Sequence, residues 1–100
     1  MNQKIEHKRL KVELVFNDSA KDAFQFPIRN FIRISFWLTD ANYSSPSEIT
    51  FDKESVNVNE KIEACILIIN VFNTIKEGNS FYIGTFPSII GKGIIKEIED

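Results

Sequence analysis

Cysteine and histidine are almost absent from this chain, and their scarcity excludes several classes of protein. Cys65 is the single cysteine and His7 is the single histidine. One cysteine cannot form an internal disulfide, and a structural zinc site needs several Cys or His ligands at short spacing. The sequence therefore predicts neither a disulfide-stabilised fold nor a metal site.

An excess of positive charge and a long apolar run are also missing. Twelve Lys and Arg against fourteen Asp and Glu give a net charge of -2, so no overall positive field attracts nucleic acid. No apolar stretch approaches the roughly 20 residues that a membrane-spanning helix requires. The start of the sequence lacks the apolar core of a secretory signal peptide, so we expect a cytoplasmic location.

Patterns for catalysis and nucleotide binding are missing as well. Gly91-Lys92-Gly93 lacks the upstream glycine, the hydroxyl residue and the helix of a phosphate-binding loop. These glycines are better interpreted as a bulge or a close backbone approach within a strand. Cys65 lies in the most apolar stretch, where burial would raise the pKa of its thiol, and His7 lies near a terminus. We therefore expect no enzymatic activity, no catalytic residue and no cofactor.

The chain is rich, by contrast, in β-branched and aromatic residues. Sixteen Ile, nine Phe and five Val stand against four Ala and four Leu. Such side chains suit a pleated, half-buried strand better than a helix. A chain of 100 residues fits one domain, and no repeat or linker divides it. The composition predicts a single all-β domain over residues 1–100.

Alternation of apolar and polar side chains locates the predicted strands. Strands are predicted over residues 9–16, 28–38, 61–71, 80–83 and 89–98, with a short strand at 49–51 and a weak strand or a turn at 56–59. Residues 17–22 and 39–47 are predicted to form a turn and a polar loop, because they are rich in Asp, Asn and Ser. Five or six strands without an amphipathic helix indicate a closed barrel or a small sandwich.

Three segments in the second half of the chain carry a family resemblance. They are the apolar strand Lys61–Ile69, the segment Ile75–Ile83 with its Glu-Gly turn, and the Gly-Lys-Gly-Ile-Ile run within Ile90–Ile95. In this order they resemble the C-terminal barrel of elongation factor Tu, and Phe36–Asp40 is similar to a strand of that family ending in Thr-Asp. The resemblance implies a six-stranded antiparallel Greek-key barrel. It also implies a stand-alone domain, because the family's GTPase domain and second barrel are absent from the chain.

The surface that faces tRNA in elongation factor Tu is not retained in this sequence. In that family the last hairpin and the Thr-Asp strand face the tRNA stem. The corresponding positions, roughly Arg33, Asn42 and Thr85, do not keep the family's residues. The resemblance therefore implies the architecture of the barrel more than its function in translation.

The outward face of the second predicted strand is the main candidate for a partner-binding surface. It carries two arginines and two aromatic residues: Arg29, Phe31, Arg33 and Trp37. Arginine and aromatic side chains are enriched at binding hot spots, and both can also stack on bases. The alternative is that Phe31 and Trp37 are covered by residues 24–26 or by the 40–50 loop.

A second candidate is the tip of the last hairpin, where an exposed Phe86 beside Thr85 would fit a pocket in a partner. A plain turn is the alternative there. With Asn42, these residues complete the predicted partner-binding set. We expect a non-catalytic interaction module that binds another protein. The alternative is a module that binds a structured RNA, such as a tRNA stem, through Arg29, Arg33 and nearby lysines.

Overall fold

Strands dominate the part of the chain that the computed structural model describes, which comprises residues 7–22, 24–25, 27–29, 31–69 and 75–99. The elements are β1 His7–Phe16, a 3₁₀ helix Asp18–Asp22, β2 Ile28–Arg29, β3 Ile32–Leu38, β4 Ser45–Phe51, β5 Ser55–Val56, β6 Ile62–Ile69, β7 Ser80–Thr85 and β8 Ser88–Glu99. None of the described residues forms a helix with the length and apolar character needed to span a membrane.

Six of these strands close into an antiparallel barrel in the order β1-β6-β4-β3-β7-β8, and β8 pairs with β1 to complete the ring. Of the barrel strands, β3, β4 and β6 are consecutive in the chain and adjacent in the sheet. The last of them, β6, lies beside the first strand, β1. This connection is a Greek key. β2 and β5 form a separate two-stranded ladder outside the ring. The prediction of an all-β, six-stranded antiparallel Greek-key barrel is confirmed.

Alternate side chains of the barrel strands fill the interior. Among the most buried are Leu10, Leu14, Phe16, Ile49, Ile66, Ile68, Phe81, Ile83 and Ile95. The rings of Phe36 and Phe81 stack with their centroids 5.0 Å apart, and Phe16 meets Phe51 edge-on at 6.0 Å. Because side chains occupy the inside of so small a barrel, its interior is a core, and binding surfaces belong on the outside.

Glycines let β8 approach its two neighbours closely. A Cβ at Gly93 would lie 2.2 Å from the Glu13 carbonyl oxygen and 2.6 Å from Cζ of Phe81, and one at Gly91 would lie 2.9 Å from Cγ1 of Ile83. The register of β8 shifts against β1 between Lys11 and Val12, and it shifts against β7 next to Ile83. The predicted close backbone approach is confirmed.

Two predicted boundaries are wrong. The strand expected over residues 28–38 is divided, because Ile28 pairs with Val56 in the small ladder whereas Ile32 enters the barrel opposite Ile49. The loop expected over residues 39–47 ends early, because β4 already begins at Ser45. Ser47 is buried in β4, and its hydroxyl donates a hydrogen bond of 2.7 Å to the carbonyl of Ile34. Residues 70–71 of another predicted strand lie outside the described residues.

Cys65 lies on the outer face of β6, between the buried side chains of Ala64 and Ile66. It is half-buried, and so less buried than its apolar stretch predicts. The alternation of β6 directs Cys65 away from the core. Burial nevertheless raises the pKa of the Cys65 thiol, which makes the reactive thiolate scarce at neutral pH.

Candidate partner-binding site

Trp37 does not offer an exposed ring to a partner. It lies on the outer face of β3, yet only 6% of its surface is exposed. The Phe86 ring contacts it edge-on with centroids 5.1 Å apart, and the Tyr82 ring lies at 6.1 Å. Trp37 therefore exposes little surface to a partner, and its predicted part in binding stays a prediction.

Phe86 covers Trp37, and its contact with Trp37 also accounts for the position of the Phe86 ring. It follows β7 in the turn at residues 86–87, where it is half-buried against Trp37. The two aromatic residues that the sequence assigned to separate candidate surfaces therefore pack on each other. Trp37 is covered, as the alternative expected, but the rings in contact with it belong to Tyr82 and Phe86 of the last hairpin, and Phe31 is exposed.

Phe31, Arg33 and Glu48 form an exposed cluster at the start of β3. Phe31 directly precedes the strand and is 52% exposed. Cζ of Arg33 lies 5.8 Å from the centroid of the Phe31 ring, within the range of a cation–π contact. Nε of Arg33 donates to Oε2 of Glu48 at 3.4 Å, and Glu48 faces Arg33 directly in the β3–β4 register. These three residues are called the Phe31 cluster below.

The Phe31 cluster borders a cleft of about 680 Å³. Arg33 and Glu48 line it from β3 and β4, and Thr85 lines it from the end of β7. The cleft lies where the β3–β7 ladder, which covers Ser35–Leu38, has ended. Its remaining lining residues include Phe24, Ile34 and Ile90, which provide apolar surface. The fold thus brings together an aromatic ring, a charged pair and an apolar recess.

Of the other predicted site residues whose side chains the structure describes, only Thr85 lies at the cleft. Thr85 is exposed and reaches the same cleft as Arg33, so these two predicted residues are brought together. Asn42 is exposed in the loop after the opposite end of β3 and does not line the cleft. Arg29 pairs with Ser55 through its backbone, and its side chain lies outside what the structure describes.

Glu48 was missed by the sequence analysis. The only signal that could have found it is the register of β4 against β3, which places a carboxylate opposite Arg33. The loop predicted over residues 39–47 gives no indication of that register. With Glu48 included, the cluster carries one positive and one negative charge.

No protein-family model matches the chain, and no curated protein matches its sequence. Within the described residues, no group of three or more His, Cys, Asp or Glu side chains could hold a metal ion.

Proposed function

We propose that this protein is a non-catalytic module that binds another protein through the Phe31 cluster and the adjoining cleft. The exposure of Phe31 beneath the Arg33 guanidinium is the observation that carries the proposal. A large aromatic side chain left half in water gains free energy when a partner covers it. Arginine and aromatic residues together are the side chains most enriched at protein–protein hot spots.

The shape of the surroundings supports the same proposal. An apolar recess beside the ring can accept a side chain of the partner, and Arg33, Glu48 and Thr85 supply a polar rim around it. Interfaces of this kind have an apolar centre and a hydrogen-bonding margin. The Arg33 guanidinium donates its Nε–H to Glu48. Because the Arg33 side chain is 77% exposed, its remaining N–H donors are available to a partner.

The barrel itself supports a protein partner by analogy with elongation factor Tu. We propose that the resemblance of its C-terminal barrel to this chain reflects a common architecture, since both are six-stranded Greek-key barrels. In that family the barrel packs on the GTPase domain and meets an exchange factor, so contact with proteins lies within its repertoire. This analogy concerns the type of partner and not its identity.

The charge of the cluster favours protein over RNA. Glu48 lies against Arg33 and would repel a phosphate that approached the guanidinium. The chain as a whole has a net charge of -2. A tRNA-binding surface would instead need several unopposed cations to displace counterions from the backbone.

Quantitative capture from the native lysate tests the proposal, with wild-type protein, Phe31→Ala and Tyr43→Ala as baits. Tyr43 is an exposed aromatic residue in the β3–β4 loop and serves as the matched control. We expect a set of proteins that is retained by wild type and Tyr43→Ala, survives nuclease treatment, and is depleted with Phe31→Ala. Equal retention by all three baits would refute the assignment of the site. Loss of all partners after nuclease treatment would favour RNA.

A further inference from the structure

A second concave surface lies further along β7 and β8 from the cleft beside the Phe31 cluster. It spans the outer faces of β1, β8 and β7 and encloses about 500 Å³. On β7 the cleft reaches Gly84 and Thr85 and the groove reaches Ser80–Tyr82, while on β8 the cleft reaches Ile90 and the groove reaches Lys92–Ile94. The two surfaces share no lining residue.

Apolar side chains occupy the middle of this groove. Ile94 points outward from β8 and is 46% exposed, and it lies between Glu13 of β1 and Ser80 of β7. In the next row Lys92 lies between Val15 and Tyr82, both of which are half-buried. The close approach of β8 at Gly93 draws these three strands together. Ile94, Val15 and Tyr82 thus form a small apolar patch.

Positive charge predominates around this patch. Its charged lining residues are Lys61, Lys92 and Glu13, that is, two cations and one anion. Nζ of Lys61 lies 3.6 Å from Oε1 of Glu13, so this pair is largely neutral. The Lys92 ammonium forms no ion pair with any described residue. The excess is local, because the chain as a whole has a net charge of -2.

We propose that this groove binds a short acidic segment of a protein, with an aliphatic or aromatic side chain on Ile94 and a carboxylate on Lys92. The apolar patch buries an apolar side chain of the segment, and the unpaired Lys92 ammonium favours a segment with negative charge. A nucleic acid fits less well, because Glu13 lies at the edge of the groove and an aliphatic side chain occupies its centre. The proposal does not depend on the function of the Phe31 cluster.

Titration of the full chain, labelled with ¹⁵N, tests the proposal by NMR. The probe is a synthetic peptide in which Leu and Phe alternate with Asp and Glu, and its control replaces Asp and Glu by Asn and Gln. We expect the acidic peptide to shift the amide signals of Tyr82, Lys92 and Ile94 and to leave those of Phe31 and Arg33 unchanged. The control peptide should bind more weakly by about tenfold.

Two pairs of variants separate charge from apolar contact. Lys92→Glu should weaken binding of the acidic peptide by about tenfold, whereas Lys21→Glu, on the 3₁₀ helix, should have no effect. Ile94→Ser should weaken it similarly, whereas Ile89→Ser, at the exposed start of β8, should not. Amide spectra of each variant check that the barrel is intact.

Several results would overturn the proposal. They are the absence of any shift at Tyr82, Lys92 and Ile94, equal binding of the acidic and amide peptides, and unchanged affinity in Lys92→Glu. Shifts confined to the Phe31 cluster would also overturn it, because they would assign the peptide to the other surface. If a single-stranded RNA oligomer shifts these signals and the acidic peptide does not, the ligand of the groove is RNA and not an acidic segment of a protein.

Discussion

Trp37 is packed against the rings of Tyr82 and Phe86, whereas Phe31 is 52% exposed. Truncation of a buried Trp removes its contacts and leaves a cavity, at a cost of about 3–5 kcal/mol. Substitution of an exposed side chain usually changes the free energy of unfolding by about 0.5 kcal/mol or less. We expect Trp37→Ala near the lower end of the first range and Phe31→Ala within the second. Urea denaturation followed by circular dichroism measures both, and equal losses would contradict the packing of Trp37.

The direction of Trp37 could be predicted from the sequence, but its burial could not. Alternation along β3 correctly points Arg33 and Trp37 outward, because the side-chain period of a strand is two. The rings of Tyr82 and Phe86 come from the last hairpin, and no local pattern indicates which outward residue such a hairpin covers. The same alternation places Phe31 outward, and Phe31, which directly precedes β3, is exposed.

Gly93 is a second residue whose role rests on contacts between strands. Its missing Cβ leaves room for the Glu13 carbonyl oxygen, 2.2 Å from where that atom would lie, and for the Phe81 ring. Because the obstructing oxygen belongs to the backbone of β1, the strand itself would have to move. We expect Gly93→Ala to lower the free energy of unfolding by about 3 kcal/mol, the upper end for overpacking.

Gly78→Ala is the matched control for Gly93→Ala. Gly78 has a φ of 88° and no atom within 4 Å of a built Cβ, so its substitution introduces backbone strain without a clash. Such a left-handed conformation costs about 1–2 kcal/mol for a residue with a Cβ. Thermal or urea unfolding of the two variants should therefore rank Gly93→Ala as the more damaging. The reverse order would mean that β8 does not approach β1 as closely as described.

At the scale of elements, β4 explains most of what the sequence could not reveal. Its first residues, Ser45-Pro46-Ser47, have the composition of a turn, and Pro46 lacks the N–H that a central strand uses. The β4–β6 ladder begins only at Ser47, which pairs with Ile68, so Pro46 interrupts no ladder on that side. The strongly alternating strands β1 and β6 were predictable, because burial alone sets their pattern.

Glu60 stabilises the connection between β5 and β6 through its carboxylate. The stability of this connection therefore depends on pH. The carboxylate accepts a hydrogen bond from the Lys53 ammonium and one of 3.1 Å from the N–H of Asn57. The Lys53 contact, with the Asn57 bond, lowers the pKa of Glu60 below its ordinary value. A lowered folded pKa means that the stabilisation is present above about pH 4.3, the ordinary value, and is lost as the pH falls through the folded pKa.

We therefore expect the amide signal of Asn57 to titrate with a midpoint below the ordinary pKa of a glutamate. In Glu60→Gln this titration should vanish, because the amide has no proton to gain in that range. Glu54→Gln, in the neighbouring exposed bend, is the control and should leave the Asn57 profile unchanged. ¹⁵N spectra recorded across the acidic range measure the midpoint. A midpoint at or above the ordinary value would contradict the contact with Lys53.

For the whole molecule, closure of the ring couples distant parts of the chain. β1 pairs with both β6 and β8, so the first and last strands are neighbours and no barrel strand is an open edge. Trp37, the single tryptophan, reports on the contact between β3 and the last hairpin. Circular dichroism reports on all strands together. If one core holds the barrel, both signals should change in a single transition.

We expect the urea midpoints from Trp37 fluorescence and from circular dichroism to coincide in the wild type. Gly93→Ala should lower both midpoints by the same amount, although Gly93 pairs with Leu14 and Phe81 and not with β3. The physical reason is that separation of one pair of strands opens the barrel, which exposes two strand edges and the apolar core. The remaining strand pairs are then destabilised as well. A Trp37 midpoint that stays unchanged while the dichroism midpoint falls would mean that the two sides of the barrel unfold independently.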